Sequence, residues 1–505
     1  MISRLLLGIY LGGLVSNVYS SDNKAQNNMA ADTTAAQQNL SAEGVATDVT
    51  AIDFYKTGDK FHRLLTYNHG EQTFKSSQSD KFVDTVQNGS LQKYSNIETL
   101  TFNDMDFLRD GNVANLLELA GINSLKKLQD IAFVNCKNLA EPEGEKILIR
   151  CLSDVAKFNS LVISPAIGEK FPSELLKWIA NEKNLEKCNS LSVLSLLVDE
   201  LNEETAHAIA AIISKASKSL TTLCLSIKKS PPDSNLLGVI ADSIKNSQNI
   251  TYFAVSFEKD VAPDDIKTFF ANINNSKDVI KTLVTMKVDF NNTSFNNPSN
   301  RDSTGMVRPV SELCQMLKNQ EQLREFDMSG SQLDSVFYSK IFNEGLVNNH
   351  NIESLKLNNI INFSNDNMKD LATLLKTMQN LQELELKNCD MQHSVFSGVI
   401  SSIEAISGLM SLKLDNNKLT NIGDIPTKCG KLITISIANN TLDKNTIQKM
   451  IENISKDDMR QTPLIINLQN NIDNVNDIKE LHNKYISSIL PSMSESKPIR
   501  FAFIL

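Results

Sequence analysis

The chain has 505 residues, of which 41% are hydrophobic, and a formal net charge of −9 at pH 7. This length exceeds that of a usual single domain. The acidic balance, with a pI of about 5.4, argues against broad nucleic-acid binding, which needs a basic stripe to displace counterions.

The first 20 residues predict an export signal. A short basic start, MISR, precedes the apolar run LLLGIYLGGLV, and the small residues of SNVYS follow it. Such an order is typical of a secretory signal peptide. The run is shorter than the roughly 20 residues of a membrane span, so we expect cleavage after Ser20. An uncleaved anchor is the alternative.

The next two segments differ in composition. Residues 21–50 are mostly small and polar, which predicts a disordered leader because such a segment cannot repay the entropy of ordering. Residues 51–95 contain large apolar side chains such as Phe54, Leu64 and Phe82. We expect them to form an N-terminal cap over the segment that follows.

A pattern of apolar residues recurs from about residue 96 to residue 475. Its clearest copies are NLQELELKNCDM at 380–391, GLMSLKLDNNKL at 408–419 and KLITISIANNTL at 431–442. Each copy has the order L-x-x-L-x-L, with Asn or Cys three places on, which predicts a short strand and a buried turn. Aligning the second apolar residue gives about thirteen repeats, mostly roughly 28–33 residues apart. We call these aligned positions the rung residues: Leu100, Ile131, Leu161, Leu194, Leu223, Phe253, Met286, Phe326, Leu355, Leu384, Leu412, Ile435 and Ile466.

Between the rung residues the apolar spacing becomes helical. The segment SNDNMKDLATLLKTMQN places Met368, Leu371 and Leu375 on one helical face. Three more segments share this pattern: NEETAHAIAAIISKASK, PDSNLLGVIADSIKNSQN and DKNTIQKMIENISK. A unit of one strand and one helix cannot bury its apolar side alone, so the fold class is an α/β solenoid of stacked units.

These motifs resemble the leucine-rich repeat. Asn417, Asn440 and Asn471 occupy the position of the family's asparagine ladder. Repeats of this length, each with a helix, resemble the ribonuclease-inhibitor-like subclass. The resemblance covers residues 96–475 and implies a curved solenoid with a parallel sheet on the concave side and helices on the convex side. Binding through the concave face is what the family implies about function, and secreted bacterial effectors include similar proteins.

Two connections depart from the pattern. NIGDIPTKCGK carries Pro426 and Gly430 where a helix is expected, so we predict an extended connection. Residues 289–309 form a polar insert without periodicity, which predicts a projecting loop. Inserted loops often carry function in repeat proteins, but a tolerated insertion without a role is the alternative. Residues 476–505 are expected to form a C-terminal cap, with a helix and a final strand in KPIRFAFIL.

The seven cysteines do not suggest disulfides, because their number is odd and no close pairs occur. Cys136 and Cys389 take the ladder position and should be buried thiols. The others are predicted in helices (Cys151, Cys314), before strands (Cys188, Cys429) and outward in mid-strand (Cys224). An export signal with reduced cysteines is compatible with delivery from a bacterium into a reducing host cytosol. A periplasmic or surface location is also open.

Motifs for chemistry are absent from the sequence. The six histidines form no H-x-x-x-H pair, and there is no G-x-S-x-G elbow or phosphate-binding G-x-x-x-x-G-K-[ST]. We therefore expect no enzyme activity, no cofactor and no metal. A GTPase-regulating protein that uses Arg301 and Arg308 of the insert is a minor alternative.

The repeats instead offer a surface. Strand side chains alternate in direction, so the residues around each L-x-L should face the concave side. This face is mostly small and uncharged up to Ser256 and then becomes charged. The candidate protein-binding residues are Lys287, Asp289, Glu325, Asp327, Lys356, Glu383, Glu385, Lys387, Lys413 and Asp415. Mixed charges suit a protein partner, since complementary charge sets partner and orientation.

The sequence thus predicts a secreted, non-enzymatic leucine-rich-repeat scaffold that binds a protein of unknown identity. A passive envelope or surface protein is the main alternative. The sequence predicts neither nucleic-acid binding nor a membrane span after signal cleavage, and it leaves the oligomeric state open.

Overall fold

The structure, a computed structural model, describes residues 49–57, 60–67, 70–79, 97–108, 127–153, 155–232, 234–275, 282–291, 308–360, 363–456, 463–471, 480, 483 and 501–504. All of them belong to one compact unit, Asp48–Leu505. The predicted signal peptide, most of the predicted leader and residues 292–307 of the insert lie outside the described residues, and so does Arg301.

The described part of the chain forms one seventeen-stranded sheet. The strands are β1 Val49–Thr57, β2 Lys60–Tyr67, β3 Gly70–Ser79, β4 Thr99–Asn103, β5 Asp130–Cys136, β6 Ser160–Pro165, β7 Val193–Val198, β8 Thr222–Lys229, β9 Tyr252–Asp260, β10 Thr285–Asn291, β11 Glu325–Asp327, β12 Ser354–Lys356, β13 Glu383–Glu385, β14 Ser411–Lys413, β15 Thr434–Ser436, β16 Leu464–Asn467 and β17 Phe501–Ile504.

Helices alternate with these strands. They are α1 Pro142–Ser153, α2 Ser173–Ala180, α3 Glu182–Leu185, α4 Glu203–Lys215, α5 Leu236–Ile244, α6 Pro263–Asn274, α7 Arg308–Lys318, α8 Ser335–Lys340, α9 Asn365–Thr377, α10 His393–Glu404, α11 Ile425–Lys428 and α12 Lys444–Lys456. The four helices predicted from apolar spacing are α4, α5, α9 and α12, and all four are confirmed. Helix α9 begins with a capping box at Ser364 and Asn367 and buries Met368, Leu371 and Leu375.

The thirteen rung residues are in register. Strands β4 to β16 pair in parallel, each with the next, and every rung residue is the direct partner of the following one, from Leu100 with Ile131 to Ile435 with Ile466. All thirteen are buried. The predicted α/β fold is therefore confirmed as a leucine-rich-repeat solenoid.

The parallel series continues at both ends. At one end, β1 pairs in parallel with β4, with Ile52 opposite Leu100, and antiparallel with β2, which pairs antiparallel with β3. At the other end, β17 pairs in parallel with β16, with Phe503 opposite Ile466. Strand β17 lies in the segment where the sequence suggested a final strand.

Strand length divides the repeats into two kinds. After β12 to β16 the chain turns through an asparagine in the left-handed region, for example Asn388 with φ 56° and Asn416 with φ 57°. Asparagine tolerates this conformation better than most residues, and the strand ends early. Strands β7 to β10 lack this turn and run on, so that the residue at the same place is apolar and buried, such as Phe257 and Phe290 with ring centroids 6.3 Å apart. This difference was not predicted from the sequence.

The asparagine ladder stabilises the short-strand repeats. Asn417 is buried, and its side-chain oxygen accepts hydrogen bonds from the amides of Cys389 and Met391, both at 3.1 Å. Its side-chain nitrogen donates to the carbonyls of Leu386 at 2.8 Å and Leu414 at 2.9 Å. One side chain thus satisfies buried backbone groups of two neighbouring repeats, as buried polar groups require.

The sequence predicts buried thiols at two ladder positions. Cys136 and Cys389 are buried, and each thiol donates to a carbonyl of the preceding repeat, Phe102 and Leu357 respectively. All six cysteines whose side chains are described are buried. Cys224 lies on the outward side of β8 as expected, but it is only 4% exposed.

One local prediction was wrong. The connection that contains Pro426 is not fully extended, because α11 forms a single turn there. Pro426 lies in the first turn of this helix, where a residue without an amide proton loses no hydrogen bond.

Replacing the ladder residue tests how far its hydrogen bonds hold the stack together. Asn417→Ala should lower the free energy of unfolding by roughly 2–4 kcal/mol, because buried amides and carbonyls lose their partners. The matched control is the exposed neighbour Asn416→Ala, which should cost only about 1 kcal/mol through the left-handed backbone. Urea denaturation measures both values. Equal losses would contradict the role assigned to the ladder.

Candidate protein-binding surface

The sheet has one face that the helices do not cover. Along β10, buried and part-exposed residues alternate, so the rung residue points to the core and its flanking residues point away. We call the surface formed by these outward residues of β4 to β16 the open face. It corresponds to the concave face of the predicted solenoid.

The first part of the open face, from β4 to β8, is closely packed. Thr101, Ser164, Ser195 and Cys224 point outward but are buried, since short side chains on strands about 4.8 Å apart leave little room for water. Burial raises the pKa of the Cys224 thiol to about 12. This thiol is therefore protonated at neutral pH and is a poor nucleophile.

A continuous series of ion pairs crosses β11 to β14. Lys356 Nζ lies 2.7 Å from Glu325 Oε1 and 3.7 Å from Glu383 Oε2. On the next strands, Lys413 Nζ lies 2.9 Å from Glu383 Oε1 and 2.7 Å from Glu385 Oε1. Glu385 and Lys413 are direct partners in the register, and the other three pairs are diagonal neighbours on adjacent strands. Long side chains still reach each other from diagonal positions.

Glu385 is the most buried carboxylate of this series, at 6% exposure. Its desolvation opposes ionisation, but the hydrogen bond from Lys413, the positive charge of Lys387 at 3.2 Å and the amide of Asn358 outweigh it. Together they lower the pKa of Glu385 to about 2. The carboxylate is therefore charged throughout the physiological range and holds two lysines in place.

The two ends of the series differ from each other. Lys287 Nζ lies 3.3 Å from Asp327 Oδ2 at one end. At the other end, Asp415 accepts hydrogen bonds from Ser436 Oγ at 2.5 Å and from the amide of Ala438 at 2.8 Å. Among the described residues, Asp415 has no lysine or arginine within ion-pair distance. We call the ten predicted charged residues, from Lys287 to Asp415, the charged strip.

Asp289 lies where the long strand β10 meets the short strand β11. Asp289 as a whole is partly exposed. Its Oδ1 atom, however, is buried and has no hydrogen-bond partner in the described structure. Burial, together with the negative charges of Asp327 and Glu258, raises the pKa of Asp289 to about 7, against a hydrogen bond with Ser256 that lowers it. Gly330 turns beside this carboxylate with φ +86°, and a Cβ there would lie 3.3 Å from either carboxylate oxygen.

A second column of outward residues was not predicted from the sequence, because it lies outside the positions that alternate around each rung residue. This column lies two residues before the rung residue. It contains Arg324, Glu353 and Gln382, and continues with Met410 and Ile433, which are exposed. Repeated apolar residues at this usually polar place of the L-x-x-L motif were the available signal.

Other kinds of site find little support in the part of the chain that the structure covers. It contains no group of three or more His, Cys, Asp or Glu residues that could hold a metal ion. No helix among the described residues is long and apolar enough to cross a membrane. Helix α7 begins at Arg308, whose side chain lies outside the description.

Comparisons with known proteins add little to this account. No protein-family model matches the chain. The human NACHT, LRR and PYD domains-containing protein 14 is 30% identical over 150 residues, which are 28% of this chain and 13% of the human protein. The chain thus matches only a small part of that protein's length. An internalin from Listeria monocytogenes is 13% identical and covers 72% of this chain and 81% of its own, but its TM-score of 0.35 is too low to support an argument.

The Asp289 carboxylate makes the free energy of unfolding depend on pH. The folded chain keeps the Asp289 proton up to about pH 7, whereas an unfolded aspartate loses it near pH 3.9. Because of this group, the free energy of unfolding falls as the pH rises from about 4 to about 7. Asp289→Asn should raise the free energy of unfolding at pH 8 by roughly 1–3 kcal/mol, with little change at pH 4.

Urea denaturation at several pH values measures this difference between variant and wild type. The exposed helical residue Asp366→Asn is the control and should show no gain that grows with pH. A difference for Asp289→Asn that stays constant from pH 4 to pH 8 would contradict the raised pKa.

Proposed function

We propose that the chain is a non-enzymatic scaffold that binds another protein through the charged strip on its open face. The observation that carries the proposal is the ordered series of ion pairs across β10 to β14. A solenoid presents such outward side chains on one extended surface, and repeat proteins commonly bind partners in this way.

The ion pairs support a protein partner for two reasons. First, each lysine of the strip is held by a carboxylate, for example Lys356 by Glu325, so little side-chain entropy is lost when a partner docks. Second, six carboxylates alternate with four lysines in the strip. Alternating signs can specify the orientation of a protein partner, whereas a nucleic acid would need a uniformly basic surface.

Export is the second part of the proposal. It rests on the predicted signal at residues 1–20 and on buried thiols such as Cys136 and Cys389, which need no oxidising compartment. A host-directed effector fits both features. A passive envelope or surface protein shares the export signal but needs no specific partner, so partner binding separates the two.

Exchanging the charges of one ion pair tests the scaffold proposal. Glu325→Lys combined with Lys356→Glu keeps the net charge and most of the pairing but reverses the pattern of the strip. Proteins that bind the purified wild-type chain are identified from host and envelope extracts, and their Kd values are then measured with purified partner. We expect at least a tenfold loss of affinity in the exchanged variant, which corresponds to about 1.4 kcal/mol.

The matched control exchanges an exposed helical pair, Asp366→Lys with Lys369→Asp, whose wild-type atoms lie 2.8 Å apart on α9. This variant should bind as the wild type does. If the strip variant keeps every partner at unchanged affinity, the charged strip is not the binding surface.

The export part is tested on the mature chain. Mass spectrometry of the protein recovered outside the bacterial cytoplasm should give an N-terminus at Ser21, because the predicted cleavage follows Ser20. An intact Met1 in that fraction would favour an anchor, and recovery in the cytoplasm alone would reject export.

A further inference from the structure

An exposed apolar stripe lies beside the charged strip. Among the described residues, six large apolar side chains are exposed, and three of these belong to consecutive repeats: Met410 at 37%, Ile433 at 38% and Ile465 at 40%. The other three lie on separate elements: Leu108, Ile167 and Val336. Single exposed apolar residues are ordinary, but contiguous ones mark interaction sites.

The backbones of the three residues are neighbours. Met410 and Ile433 hold the same place before their strands, whereas Ile465 lies one position further along and is the direct partner of Thr434. The amide of Ile433 donates to the carbonyl of Met410, and the amide of Ile465 donates to the carbonyl of Ile433, both at 2.8 Å. Neighbouring backbones are therefore about 4.8 Å apart here. We call Met410, Ile433 and Ile465 the apolar stripe.

The place of Met410 and Ile433, two residues before the rung residue, is polar in the preceding repeats. Arg324 and Glu353 form an ion pair there, and Gln382 follows. The solenoid therefore does not require an apolar residue at this place. The change to Met and Ile in the last repeats costs solubility without adding to the core, which favours a role at an interface.

Charge indicates what kind of molecule covers the stripe. Asp415 lies five residues after Met410, roughly 16 Å further along the strand direction, and no described lysine or arginine pairs with it. A lysine or arginine of a partner would form an ion pair with this carboxylate. A second copy of the same chain is disfavoured, because each copy carries a net charge of −9.

We propose that the apolar stripe docks a segment of another protein that has apolar side chains next to the stripe and a lysine or arginine next to Asp415. This inference rests on the proposed scaffold function and names the chemistry of its partner. The stripe supplies burial of apolar surface, and the charged strip beside it sets the direction in which the segment lies. The roughly 16 Å between the two sites corresponds to about five extended residues or about eleven helical residues.

The test uses random 15-residue peptides displayed on phage and selected on the full chain. Selected peptides are synthesised with a fluorescent label, and their Kd values are measured by anisotropy. The stripe variant combines Met410→Thr, Ile433→Thr and Ile465→Thr, since threonine keeps a shape suited to strands. The control combines Ile167→Thr with Val336→Thr, which removes exposed apolar side chains elsewhere. Far-ultraviolet circular dichroism and the urea midpoint show whether each variant is folded.

We expect peptides with apolar residues and a Lys or Arg, at least tenfold weaker binding to the stripe variant, and unchanged binding to the control. Replacing the basic residue of a peptide with glutamine should weaken its binding to the wild-type chain but not its binding to the Asp415→Asn variant. Peptides that lose binding only to the Glu325→Lys/Lys356→Glu variant would overturn the stripe but leave the scaffold proposal standing. Peptides insensitive to both variants would overturn both proposals, and a dimer seen by sedimentation that the stripe variant abolishes would assign the stripe to self-association.

Discussion

No single repeat can bury its own rung residue. Leu384 is buried because Leu355 and Leu412 lie on the strands to either side of it, and the same holds along β4 to β16. Parallel pairing fixes this register, since a slip by one residue would turn every apolar side chain toward water. The buried Asn417 and Asn440 add hydrogen bonds that tie each turn to its neighbours. The remaining alternate side chains then have to face outward, and this is why the molecule has a long ordered surface.

The sequence predicted the register because the L-x-x-L-x-L order has the period of a strand and recurs at nearly constant distance. It did not predict where strands end, because the apolar pattern does not indicate the backbone conformation after the strand. Strand β13 ends before the left-handed Asn388, whereas β9 continues through Phe257 at the same place. It placed Glu383 and Lys413 on one face, but period alone does not indicate that Lys413 bridges Glu383 and Glu385. Met410 and Ile433 were missed because they lie outside the positions that alternate around the rung residues.

The step between long and short strands organises the open face. On the long-strand side, at β7 and β8, outward residues such as Ser195 and Cys224 are small and closely packed. On the short-strand side the residues are long, charged and mutually paired, and the last repeats add exposed Met410 and Ile433. Asp289 stands at the step with a carboxylate that burial makes hard to ionise. One sheet therefore presents three chemically different zones along its length, and the two zones after the step are those assigned to a partner.

The central claim is one continuous, in-register parallel stack, and distances between spin labels test it most directly. Turn residues at the same place of their repeats take the labels, as the pairs Asn359→Cys with Asn470→Cys and Asn135→Cys with Asn470→Cys. Asn135 and Asn470 are exposed and Asn359 is partly exposed, while the native described thiols are buried. At about 4.8 Å per strand, four strand steps predict a narrow distribution near 19 Å for the first pair. Eleven steps predict a longer distance for the second pair, at most about 53 Å. Broad distributions, or a second distance no longer than the first, would contradict the stack.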